Sequence, residues 1–98
     1  MEVYSSSPRS GEIAGSATLL NMPDVPCRLC CFKARYDNVG RVYIGGPGVT
    51  KPTGSTNATC GLELSAGEQT LWFEEDNLNK FYYICDNAGD DLTYIVQG

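Results

Sequence analysis

The sequence predicts an all-β domain: a small antiparallel β-sandwich or partly open barrel of about seven strands with an extended N-terminal arm. Three observations carry that reading. Val, Ile, Thr and Tyr dominate the runs between the 11 glycines and 5 prolines, a composition that favours strands. No window sustains a helical apolar period for three turns, so no long helix is expected. Turn signals recur about every 8–12 residues. At 98 residues the chain has room for one domain, burying roughly 65% of its unfolded surface.

Residues 1–11 are Ser-rich and contain Pro8 and Gly11, which makes them the expected arm. Residues 12–98 form the single domain. Residues 13–20 read as a first strand weakened by Gly15, and Asn21-Met22-Pro23-Asp24 as a turn. Residues 25–35 alternate, with Val25, Cys27, Leu29 and Cys31 on one side and Arg28, Cys30, Phe32 and Ala34 on the other. Both sides carry apolar residues, so either can face the core. Asp37-Asn38-Val39-Gly40 is a turn signal, and residues 41–44 return as the second arm of a hairpin.

Residues 45–56 are small and rich in glycine and proline; a loop outside the sheet is expected, and one this long is expected to be a contact surface. Short strands over residues 59–64 and 69–74 flank a tight turn at Ala66-Gly67-Glu68. Residues 71–85 hold two aromatic runs joined by Asp76 and Asn77, which reads as a hairpin at the centre of the fold. A turn over residues 86–90 and a strand over 91–96 complete the chain.

The N-terminal segment lacks a basic stretch followed by an apolar one, and no apolar run reaches membrane-spanning length. The expected setting is therefore a reducing cytoplasm. Cys27, Cys30, Cys31, Cys60 and Cys85 are then free buried thiols in preference to a disulfide framework. A net charge of −5 argues against nucleic acid as a partner. Arg28, Lys33, Arg35, Arg41 and Lys51 cluster between residues 28 and 51, whereas Glu63, Glu68, Glu74, Glu75, Asp76, Asp86, Asp90 and Asp91 lie beyond residue 60. Two readings follow: cross-strand pairing within one subunit, or a basic edge meeting the acidic edge of a neighbouring copy.

Catalytic chemistry has little to work with. The chain contains no His, which removes Ser-His-Asp and Cys-His arrangements. Glu74-Glu75-Asp76 reads as a solvated turn, not as a general acid–base pair. Cys27-x-x-Cys30 lacks a second pair to complete a zinc site, and residues three apart on a strand face opposite sides. Gly45 to Lys51 lacks the Gly-Lys-Ser/Thr ending of a phosphate loop. The spacing of Asp86, Asp90 and Asp91 is not that of an EF-hand. Asn57-Ala58-Thr59 fits a glycosylation acceptor, which carries no meaning without export. No catalytic residue, metal or cofactor is expected. Tyr43, Trp72, Phe81, Tyr82, Tyr83 and Tyr94 exceed the needs of one small core, so an aromatic contact patch competes with a two-sheet core.

Four stretches together resemble a known pattern: Val42-Tyr43-Ile44-Gly45-Gly46-Pro47-Gly48-Val49-Thr50, Gly61-Leu62-Glu63-Leu64-Ser65-Ala66-Gly67-Glu68, Asn77-Leu78-Asn79-Lys80-Phe81-Tyr82-Tyr83-Ile84, and Ala88-Gly89-Asp90-Asp91-Leu92-Thr93-Tyr94. The pattern is similar to that of small β-rich structural proteins of tailed-bacteriophage virions, across residues 39–98. The resemblance implies a many-copy virion protein, a decoration or cement protein clamping neighbouring major capsid subunits, assembled in the host cytoplasm and able to contact copies of itself, as a trimer. It implies no membrane partner and no enzyme. A tail, baseplate or head-fibre component is the alternative, as is a carbohydrate- or receptor-binding module stacking host glycan on Trp72. The expected contact residues are Tyr4 and Arg9 in the arm, then Arg41, Tyr43, Val49 and Lys51, and finally Trp72, Tyr82 and Tyr94.

Overall fold

The computed structural model describes residues 8–52 and 59–98. The expected all-β class is the class observed. Eight strands occur among the described residues: β1 (Arg9–Ile13), β2 (Leu20–Asn21), β3 (Leu29–Ala34), β4 (Val42–Gly45), β5 (Leu62–Leu64), β6 (Phe73–Glu74), β7 (Tyr82–Cys85) and β8 (Leu92–Gln97). They form two four-stranded sheets, ordered β1-β8-β3-β6 and β2-β7-β4-β5, and every strand pair is antiparallel. A single turn of 3-10 helix at Leu78–Lys80 separates β6 from β7. No described helix is long and apolar enough to cross a membrane.

Alternation along the strands builds the core. In the first sheet Cys30, Phe32 and Ala34 of β3 stand opposite Val96, Tyr94 and Leu92 of β8. In the second, Val42 and Ile44 stand opposite Cys85 and Tyr83. Residues of both sheets belong to one buried cluster, joined by Met22 and Leu78. The register settles which side of β3 faces inward. Cys31 is nevertheless buried on the other side.

Phe32, Phe73 and Phe81 pack together in the core, with Phe81 edge-on to Phe32 at 5.3 Å and 4.9 Å from Phe73 between ring centroids. Such pairs add about 0.5–1.5 kcal/mol each beyond burial.

Several expected elements are redistributed. The strand expected over residues 13–20 is instead β1 and β2 with a crossing between them. A Cβ at Gly15 would lie 2.0 Å from the Asp90 carbonyl oxygen, so the chain here runs hard against the β7–β8 turn and cannot carry a ladder. The arm expected over residues 1–11 yields its last three residues to β1, because Gly11 leaves room for the Tyr94 ring that a Cβ would meet at 2.8 Å. Residues 1–7 lie outside the described residues.

Both expected hairpins are crossings between sheets. β3 belongs to the first sheet and β4 to the second; β6 and β7 divide the same way. For the aromatic pair the cause is the connecting turn. Asn77 accepts from the Val25 and Asn79 amides at 3.0 and 2.9 Å and donates to Asp24 at 2.7 Å. Leu78 drops fully buried into the core, so the turn is a plug and not a solvated tip.

The strand expected over residues 69–74 shortens to Phe73–Glu74, because Thr70 enters the ladder with its side chain. Its hydroxyl accepts from the Phe32 amide at 3.0 Å while its own amide donates to the Phe32 carbonyl at 2.8 Å. The loop after β4 is not wholly outside the sheet either: Val49 is 4% exposed and packs on Gly45 and Gly61. Residues 53–58 of that loop lie outside the described residues.

Candidate functional site

A broad groove lies on the first sheet. Alternation places Cys31, Lys33, Thr93 and Ile95 on the face of β3 and β8 opposite to the core, and residues 69–72 run alongside β3. Cys31, Lys33, Thr93 and Ile95, with Ser10, Gln69, Trp72 and Tyr94, line a groove of about 500 Å³. Trp72 is 48% exposed beside it. Gln69, Lys33, Thr93 and Ser10 supply amide, ammonium and hydroxyl groups around the indole. The Lys33 ammonium has no ion pair among the described residues. Cys31 is buried at the wall of the groove, and burial pushes its thiol up from its ordinary range.

An apolar strip adjoins this groove. Leu71 is 84% exposed and Leu62 49%, and between them a second groove of about 410 Å³ is lined by residues of β5, Glu68 to Leu71, and Phe73. Two adjacent large side chains, Leu71 and Trp72, are therefore both presented outward. Residues 71 and 72 lie between Thr70 and β6, outside any strand, so strict alternation does not turn one of the two inward there. A patch of this kind marks interaction surfaces.

The expected contact residues separate. Trp72 and Tyr94 meet at the large groove. Arg9, the first residue of β1, is exposed and donates to the Pro26 carbonyl at 2.8 Å. Tyr82 opens β7 half-buried, and Lys51 is half-buried. Tyr4 lies outside the described residues.

On the second sheet, Arg41 pairs with Glu63 at 3.1 Å and with the Ser65 hydroxyl. Tyr43 is 4% exposed. Its hydroxyl donates to Asp86 at 3.2 Å, and burial, with the Asp86 charge, pushes the phenol up. Tyr43 and Val49, two of the expected contact residues, are both buried against their own chain.

Of the basic group, Arg41 pairs with Glu63 inside the chain, whereas Arg35 pairs with Glu12 and Asp37, neither of them in the acidic group beyond residue 60. Sequence reasoning missed Leu71, Gln69 and Lys33. The signal for Leu71 was available in the run Gln69 to Phe73, where Leu71 and Trp72 adjoin and a strand can bury only one of them.

The acidic turn after β7 is equally committed. The Asp90 carboxylate is 1% exposed and accepts from the amides of Val39, Gly40 and Asn87 and from the Asn87 side chain at 2.9–3.0 Å. Burial alone would raise its pKa, but those four donors outweigh it and hold the carboxyl below the usual range. No oxygen is left over for a cation. Among the described residues no group of three or more His, Cys, Asp or Glu could hold a metal.

No protein-family model, curated protein or solved structure matches the chain. The likeness to virion proteins thus rests on the four sequence stretches alone.

Proposed function

We propose that the two sheets stack as a β-sandwich whose open flank, carrying Leu62, Leu71 and Trp72, is a protein-docking face, and that the chain serves as a virion decoration protein. Its partners on this reading are major capsid subunits and neighbouring copies of itself, and its location is the virion. The single observation that carries the docking role is the outward presentation of Leu71 and Trp72 side by side, next to two grooves. Aromatic and aliphatic anchors in that arrangement are what stable interfaces use, and attachment at many points on a repeating surface multiplies a modest affinity. The virion setting comes from the sequence resemblance.

The test uses capsids of the same virus stripped of this protein. Wild-type chain should rebind and raise their resistance to heat, whereas Leu71→Asp should fold normally and fail to bind. Rebinding by Leu71→Asp at wild-type affinity would refute the docking face. A second reading, glycan binding, has one favouring observation: Trp72 flanks a groove rimmed by Gln69, Lys33 and Thr93. Under that reading Trp72→Ala abolishes binding to a host-glycan array and leaves capsid binding intact.

A further inference from the structure

Cys27 and Cys30 are brought together by a break in the strand. Pro26 bridges to Asn77, Arg28 sits in a bend, and β3 begins only at Leu29. The alternation that would send residues three apart to opposite faces is therefore interrupted, and both thiols enter the same core cluster. Cys30 is fully buried, whereas Cys27 keeps 5% exposure at a surface groove of about 420 Å³ that it shares with Arg28 and the acidic turn at Glu74–Asp76. The Cys27 thiol donates to the Glu75 carbonyl at 3.3 Å, and its amide donates to the Asp76 carbonyl.

We infer that Cys27 and Cys30 are a redox pair that closes to an intrachain disulfide when the protein meets a low-molecular-weight disulfide such as oxidised glutathione. Cys27 is the entering thiol, since it alone of the two reaches the groove. Its sulfur loses a proton to solvent and attacks one sulfur of the reagent; the reagent's S–S bond breaks and one glutathione thiolate leaves. The Cys30 sulfur then gives up its proton and attacks the Cys27 sulfur, the mixed S–S bond breaks, and the second glutathione leaves. Two electrons pass to the reagent, and the two protons end on the two glutathione thiols.

The local chemistry sorts the roles. Burial raises the Cys27 thiol, and the neighbouring Cys30 thiol pulls it partly back by hydrogen bonding. Burial raises Cys30 to about 12. Cys27 is the better attacking group and Cys30 the resolving one. Closure also removes the proton that Cys27 offers to Glu75, so oxidation loosens the hold on the acidic turn. The pair stands on its own geometry and does not depend on the virion reading.

The experiment is incubation of the folded, wild-type chain with excess glutathione disulfide, followed by intact mass and non-reduced tryptic mapping. Trypsin cuts after Arg28, between the two cysteines. The expected result is a loss of about 2 Da, two hydrogens, with the peptide of residues 10–28 still joined to that of residues 29–33. Cys31 shares the second peptide, so the same linkage should survive Cys31→Ala. Cys30→Ala should instead hold a stable glutathione adduct on Cys27. An unchanged wild-type mass, a wild-type adduct that never resolves, or a linkage that persists in Cys30→Ala would overturn the assignment.

Discussion

The two sheets treat the side chains that face away from the core in opposite ways. On the second sheet, Tyr43 and Gly45 share the face opposite Val42 and Ile44. Tyr43 is buried with its hydroxyl on Asp86, Arg41 is paired with Glu63, and Val49 folds back onto Gly45 and Gly61. On the first sheet, Trp72 and Lys33 beside a groove and the neighbouring Leu71 have no such cover. Both faces are rich in large side chains, so composition does not distinguish them. Closure by the chain's own loop and polar partners does. What a fold leaves uncovered after spending its own loops is the surface available to others.

The comparison can be broken first at the joint both sheets share. Asp90→Ala removes the acceptor of four N–H groups, two tying the β3–β4 crossing to the β7–β8 turn and two bracing that turn, and should cost about 3–4 kcal/mol in urea unfolding. The pH dependence has a definite sign. The folded carboxyl lies below its ordinary value of 3.8, so its contribution is fully present above that value and is lost as pH falls through the folded pKa. Acid unfolding of Asp90→Asn should lack this component.

Next comes the covered side. Gly61→Ala would place a methyl 2.4 Å from a Val49 methyl and 2.5 Å from the Ile44 carbonyl oxygen, for a loss of about 2–3 kcal/mol. Val49→Ala should cost about 1–2 kcal/mol by the same unfolding measurement. Tyr43→Phe gives up one hydrogen bond to a charged, partly exposed partner and should cost about 1 kcal/mol. At the uncovered side, Leu71→Ser should change stability by no more than about 0.5 kcal/mol. A large loss there would mean that Leu71 is structural and that the two faces do not differ as described.

Much of this was legible in the sequence. β-favouring runs and turn residues mark the class, and β3, β4, β7 and β8 fall within a residue or two of where composition puts them, apart from the start of β3. What composition could not show is which runs pair. The run from Leu71 to Cys85 looks like a hairpin because a hairpin and a crossing between sheets share the same alternation and the same polar turn. The difference lies in Leu78, one apolar residue among polar ones, which turns inward instead of capping a loop. Thr70 is similar. A hydroxyl that substitutes for backbone in a ladder leaves no trace in periodicity, and Leu71 and Trp72 follow it outside any strand.

The strand lengths have a consequence for behaviour in crowded settings. Three of the four sheet edges, β2, β5 and β6, are two or three residues long. The fourth, β1, has Arg9 and Glu12 in its five residues. An edge that short offers too few free amides and carbonyls to template another strand, and charge discourages pairing along the longer one. The chain can therefore be concentrated to high local density without fusing edge to edge into fibrils.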